Sequence, residues 1–117
     1  MTRLAAVVTT FNNAATLSKC LESLRFCDEI IVLDSDSTDE TRAIAAQYSA
    51  KIFIEAFKGY GPQKQSAIDK ANSDWVLLLD ADEFLDKAAA GLIQKAIASD
   101  VVQGYRLPRR EWLFWLW

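Results

Sequence analysis

Residues 75–85 read WVLLLDADEFL: five apolar positions, Trp75 to Leu79, end abruptly in Asp80-Ala81-Asp82-Glu83. A continuous apolar run of this length suits a strand covered on both faces, and its acidic end belongs at the surface. On an extended backbone side chains alternate at about 3.3 Å per residue, so Asp80 and Asp82 are expected to point the same way, about 7 Å apart, with Ala81 opposite. Carboxylates that close repel unless something positive lies between or beside them. A hard divalent cation, Mg2+ or Mn2+, answers that repulsion, because such ions take one or two carboxylates and complete their shell with water and phosphate oxygens. The bland alternative is a solvated acidic turn that caps the next helix.

Outward from this stretch, strands and helices alternate. Leu4 to Thr9 (LAAVVT) is a second short apolar run, stopping at Thr10-Phe11-Asn12-Asn13, where either Asn can cap a helix. Leu17, Cys20, Leu21 and Leu24 follow at i, i+3, i+4, i+7, which predicts an amphipathic helix from about Ala14 to Leu24. Glu29 to Leu33 (EIIVL) is the next strand, running into Asp34-Ser35-Asp36-Ser37-Thr38-Asp39-Glu40. Ser37 and Glu40 have the spacing of a capping box, and Ile44, Ala45 and Tyr48 form the buried stripe of the helix behind it. Lys51 to Glu55 alternates as an edge strand would. Phe57 to Gln63 (FKGYGPQ) reads as a Gly/Pro-punctuated loop, and Lys64 to Ala71 as a short helix packing through Ala67, Ile68 and Ala71. Beyond Leu85, Leu92, Ile93, Ala96 and Ile97 mark another helix, and Gly104 to Leu107 opens another strand before Pro108.

This alternation predicts an α/β fold: a Rossmann-like, mainly parallel sheet with helices on both faces. In such sheets ligands bind outside the carboxyl ends of the strands, where strand order reverses. Three strands end in polar clusters, at Thr9-Thr10-Phe11-Asn12, Asp34-Ser35-Asp36 and Asp80-Ala81-Asp82, and a parallel sheet gathers all three on one rim. One acidic tail is a cap; three converging clusters look like a nucleotide site.

Composition narrows the chemistry. The 117 residues are 51% hydrophobic and 25% charged, with a net charge of -3 and no Lys/Arg block, which argues against nucleic acid as a partner. There is no His, which removes Ser-His-Asp and Cys-His catalysis and most zinc sites, so acid-base work falls to carboxylates. Cys20 and Cys27 fit no CxxC spacing and are expected reduced against the core, in a cytoplasmic setting. No apolar run approaches the length of a membrane span, and no signal-peptide pattern opens the chain.

The ordered set VVTTFNN, CLESL, DEIIVLDSDSTDET, GYGPQKQSAIDKA and WVLLLDADE resembles the donor half of family 2 glycosyltransferases, most nearly the bacterial branch that adds sugars to the lipopolysaccharide core. The resemblance runs from about Leu4 to Pro108. It implies a nucleotide-diphospho-sugar transferase fold of the GT-A type, truncated, and a UDP-sugar or related donor. It further implies Mg2+ or Mn2+, and a saccharide or glycolipid acceptor such as lipopolysaccharide core. Carried over by position, Thr9 and Phe11 lie by the base, Asp34 contacts uridine, and Lys64 occupies the basic site. Asp80 and Asp82 then form the DxD, Asp80 toward the ribose and Asp82 on the metal. The implied reaction is inverting attack by an acceptor hydroxyl on the anomeric carbon, with the metal assisting the leaving diphosphate.

Two departures stand out. Many relatives carry two successive acids after the second strand where this chain has Asp34-Ser35, and the acceptor half with its carboxylate base is missing. The expected organisation is therefore a nucleotide-sugar-binding domain over residues 1–108 and an aromatic tail over 109–117 that starts the missing half, so that the 117 residues alone transfer sugar poorly or not at all. That tail holds three of the four Trp, which reads either as the cut edge of a larger core or as a peripheral anchor at the inner face of the cytoplasmic membrane. A noncatalytic nucleotide-binding or partner-binding remnant of such an enzyme is the competing reading. A dehydrogenase is excluded by the lack of GxGxxG after the first strand.

Overall fold

The computed structural model describes residues 3–99, 104–106 and 113–116. Four strands, β1 (Leu4–Thr10), β2 (Glu29–Asp34), β3 (Lys51–Ile54) and β4 (Trp75–Asp80), run parallel. Two short strands, β5 (Gly104–Arg106) and β6 (Leu113–Leu116), are antiparallel additions, giving the order β3-β2-β1-β4-β6-β5. The helices are α1 (Ala14–Glu22), α2 (Thr41–Gln47), α3 (Tyr60–Asp69) and α4 (Lys87–Ser99).

The period-two alternation of the strands sorts the core into two layers. Leu4, Ala6 and Val8 of β1, Ile30 and Val32 of β2, and Trp75, Leu77 and Leu79 of β4 face α1, α2 and α4, meeting Leu17, Cys20, Leu21, Ala45, Ile93 and Ile97. Val7, Ile31, Leu33 and Val76 face the other way, onto Ala67 and Ile68 of α3. Burial on both faces is why these strands read as unbroken apolar runs. Each fully buried Leu or Ile here contributes about 1.5–3 kcal/mol from removal of apolar surface from water. The edge strand β3 is exposed at both ends, Lys51 and Ile54, and half-buried at Ile52 and Phe53, so its exposure does not follow the alternation expected of it.

Several local expectations change. The helix expected from Lys64 begins at Tyr60, because Pro62 sits in its first turn, where no intrahelical partner for its missing N–H is needed. Ser37 does not form a capping box with Glu40; α2 starts at Thr41, and Ser37 Oγ instead accepts from Asn12 N–H and donates to Asp34. Neither Asn12 nor Asn13 caps α1 through its side chain; Asp39, from the loop after β2, accepts the Ala14 N–H at 3.2 Å. Leu92 is exposed, while Ile93 and Ile97 carry the packing of α4. Of the aromatic tail, Leu113–Leu116 is held by backbone pairing to β4 and β5 as β6 and is not a free segment. The boundary expected at residue 108, together with Trp112 and Trp117, lies outside the described residues.

Candidate functional site

The chain proceeds from β1 to β2 to β3 on one side, then crosses back so that β4 lies on β1's other flank. The strand order reverses between β1 and β4, which is where an open α/β sheet leaves a crevice at its carboxyl rim. Thr9 and Asp80 are register partners there, and Thr10 is paired with Asp34. A cleft of about 370 Å³ opens above this rim, lined by Thr9, Thr10 and Phe11, by Ser35, by Phe57, Tyr60, Gln63 and Lys64, and by Asp80, Ala81 and Asp82.

Five of the six residues singled out from sequence, Thr9, Phe11, Lys64, Asp80 and Asp82, line this one cleft. Lys64 Nζ stands 3.5 Å from Asp80 Oδ1. The sixth, Asp34, lies beneath the rim with no exposed surface. Its Oδ1 accepts from Thr10 Oγ1 and Ser37 Oγ, both at 2.6 Å, and its Oδ2 from Ser37 N–H at 2.7 Å, with Arg42 Nη1 at 3.6 Å. In this arrangement Asp34 knits the loops after β1 and β2 together and presents no atom to the cleft. Asn12 reinforces the seam: held at a positive φ of 51°, it donates its N–H to Ser37 Oγ and accepts from Thr38 N–H.

The acidic end is arranged differently from the alternation expected of a strand. The ladder stops at Asp80, and Asp80-Ala81-Asp82-Glu83 is a turn closed by the Glu83 N–H on the Asp80 carbonyl at 3.0 Å. Glu83 Oε1 accepts the Asp80 N–H at 2.9 Å, so Glu83 shapes the turn that carries the two aspartates. Ala81 is buried and Asp82 exposed, which makes Ala81 the peg and Asp82 the outward carboxylate. Beneath the turn the Cys20 thiol lies 3.8 Å from the Asp80 carbonyl oxygen. Burial, with Glu83, Asp82 and Asp80 nearby, pushes its pKa up to about 12, so it stays neutral.

A hard cation needs accessible carboxylate oxygens and room for other oxygens. Asp82 makes no hydrogen bond or ion pair among the described residues, and the Asp80 side chain is about half exposed beside Lys64. These residues fit an ion that takes most of its ligands from water and phosphate. No cluster of three protein ligands exists among the described residues, so a closed protein cage is not what this rim offers.

Sequence reasoning missed the aromatic part of the cleft's lining. Phe57 and Tyr60 stack edge to face with ring centroids 5.2 Å apart and are 55% and 79% exposed, an unusual investment of aromatic surface in solvent. Gly59 between them has φ 105°. Gln63, one turn into α3, is only 2% exposed and ties this loop to Ser35 and Glu55, the residues that follow β2 and β3. The signal for Gln63 was present: it stands at i−4 from Ala67, on the buried stripe of the helix.

Residues 5–115 match the model described as Glycosyl transferase family 2. The chain belongs to glycosyltransferase family 2. Among curated family 2 relatives, the lipopolysaccharide core biosynthesis glycosyltransferase LpsC of Rhizobium meliloti is 40% identical over 116 residues, covering 94% of this chain and 43% of that enzyme. The chain thus spans less than half the length of that relative. Among solved structures, the mannosyltransferase PcManGT of Pyrobaculum calidifontis, in complex with GDP-Man and Mn2+, superposes with a TM-score of 0.79 at 18% identity, over 98% of this chain and 44% of that one. Glucosyl-3-phosphoglycerate synthase of Mycobacterium tuberculosis, in complex with Mn2+, UDP and glucosyl-3-phosphoglycerate, superposes at 0.78 with 16% identity, over 98% and 57%. At such identities these likenesses establish the shared fold, with the Rossmann-like parallel sheet and its helices.

Proposed function

We propose that the chain forms the donor-binding part of a metal-dependent, inverting glycosyltransferase that moves a sugar from a UDP-sugar to a saccharide or glycolipid acceptor of the lipopolysaccharide-core type. The observation that carries the reading is the cleft itself, with Thr9 and Phe11 on one strand end, Lys64 beside Asp80, and the exposed carboxylate of Asp82 on a turn at the other. Two fold relatives, one bound to GDP-Man and Mn2+ and the other to UDP and Mn2+, and the 40% identity to LpsC support it.

In this reading the base lies toward the aromatic end and the diphosphate toward the acidic end. Lys64 meets the diphosphate, Asp80 the ribose, and Asp82, with Asp80 behind it, holds Mg2+ or Mn2+. The bound ion would supply charge neutralisation at the departing diphosphate. The chain's own groups orient the donor: Thr9 and Phe11 against the nucleoside, and Lys64 as a fixed positive charge near the oxygens that become more negative as the glycosidic bond breaks. The uridine contact carried over to Asp34 is proposed to act through the loop it anchors, since the carboxylate is covered by Thr10 and Ser37. The acceptor-side base is not assigned to any described residue. The setting that suits a UDP-sugar donor is the cytoplasm.

Calorimetric titration with UDP, with and without Mn2+, tests the reading on the native chain and on Asp82→Ala. Micromolar-range, Mn2+-dependent binding is expected, weakened by about 2 kcal/mol in Asp82→Ala, the scale of a lost charge-assisted contact. Equal UDP affinity in all four titrations removes the metal assignment.

A further inference from the structure

We propose that Gln63 is a positioning residue that turns the Ser35 hydroxyl into a hydrogen-bond donor aimed at the nucleotide base, an inference that rests on the nucleotide-sugar site proposed above. The carboxamide of Gln63 has almost no exposed surface, and its partners admit only one orientation. Oε1 accepts from the Lys58 backbone N–H at 3.1 Å. An amide N–H only donates, so oxygen and not nitrogen must face it. Nε2 then faces Ser35 Oγ at 3.2 Å and the Glu55 carbonyl oxygen at 3.5 Å. A carbonyl only accepts, which fixes the flip a second time. Ser35 Oγ therefore accepts from Gln63, and its own proton is released to point elsewhere.

That elsewhere is the cleft, which Ser35 lines together with the exposed rings of Phe57 and Tyr60. Gln63 thus sets two things at once: through Lys58 it holds the loop that carries the rings, and through Ser35 it sets the direction of a hydroxyl. Aromatic faces accept any base by stacking. A hydroxyl committed to donating adds a preference for a base edge with carbonyl oxygens, of which uracil presents two. Ser35 follows directly on Asp34, and its hydroxyl can donate where a carboxylate would offer only acceptors.

The test compares UDP with inorganic pyrophosphate, each with Mn2+, on the full chain by calorimetry. Gln63→Glu keeps an oxygen for Lys58 N–H but puts a carboxylate oxygen opposite Ser35, which draws the hydroxyl proton back from the cleft. Gln63→Glu and Ser35→Ala are each expected to weaken UDP about tenfold and pyrophosphate less than about twofold, and Gln63→Glu made in the Ser35→Ala background to cost UDP nothing further. Equal losses for UDP and pyrophosphate, an undiminished Gln63→Glu effect in the Ser35→Ala background, or unchanged UDP affinity in Ser35→Ala each overturn the inference while the nucleotide-sugar reading stands. A native chain that binds neither ligand overturns that reading and this inference with it.

Discussion

Lys64 Nζ and Asp80 Oδ1 lie 3.5 Å apart across the mouth of the cleft, with side chains 37% and 48% exposed. An ion pair this open to water is worth about 0–1 kcal/mol to the fold, because solvent screens it and two long side chains must be held in register. Its weakness suits the role proposed above, in which Lys64 trades a carboxylate for a phosphate. Lys64→Met is therefore expected to leave the thermal midpoint within a few degrees of native while weakening UDP about tenfold in the presence of Mn2+. A large fall in the midpoint with unchanged UDP affinity would assign Lys64 to structure instead.

Asp34 presents the opposite balance. It is fully buried and takes three short hydrogen bonds from Thr10 and Ser37, so removing the carboxylate strands donors that have no water to turn to. Asp34→Ala is expected to cost about 3 kcal/mol in urea unfolding, and Asp34→Asn less, since its amide oxygen keeps part of the network. Stability close to native in Asp34→Ala would mean that the seam between the two loops is held by Asn12 and Asp39 without it.

The contrast between these residues shows what the sequence could and could not disclose. The strands were legible because burial on both sheet faces writes them as unbroken apolar runs; the carboxyl-rim rule then converged Thr9, Phe11, Asp80 and Asp82 on one cleft, and the family resemblance added Lys64 from α3. Side-chain direction was not legible. Asp34 closes β2 and Asp82 stands two residues past β4, yet one is turned inward by Thr10 and Ser37 and the other outward by a turn that Glu83 closes. Likewise α1 is capped from another loop, by Asp39, and a residue distant in sequence leaves no local spacing to read. The strand β6 was missed because a Trp-rich segment after Pro108 carries no alternation that distinguishes a paired strand from an exposed tail.

Glu55 gives the chain a defined acid response. Hydrogen bonds from Lys58, then Lys70 and Ser66, lower its pKa from the ordinary 4.5 to about 2. A carboxylate depressed in the folded state takes its proton more readily when unfolded, so its stabilisation is complete above pH 4.5 and is lost as pH falls toward 2. Asp39, held low chiefly by the Thr41 hydroxyl, acts in the same direction. Glu29 does too: burial alone would raise its pKa, but hydrogen bonds from Ser73, Lys51 and the Asn72 N–H outweigh that. Stability measured by urea unfolding is expected to be level near neutrality and to fall below about pH 4.5, with a shallower fall in Glu55→Gln. Identical pH profiles for the two chains would remove Glu55 from the acid transition.

The loop that bears Phe57 and Tyr60 depends on one backbone position. Gly59 has φ 105° and ψ 159°, a region that L side chains rarely enter, while a Cβ there would meet only Pro62 Cδ at an ordinary 3.7 Å. The cost of Gly59→Ala is therefore backbone strain and not a clash, about 1–3 kcal/mol. The loop can relieve that strain by local rearrangement, because its rings are exposed and little core rests on them. Such relief would pull Lys58 N–H off Gln63 and scatter the rings from the rim. Gly59→Ala is thus expected to lower global stability by no more than about 1 kcal/mol, yet to weaken UDP severalfold and leave pyrophosphate with Mn2+ nearly unaffected. Loss of both ligands in step with stability would show instead that the loop is part of the cooperative core and cannot move alone.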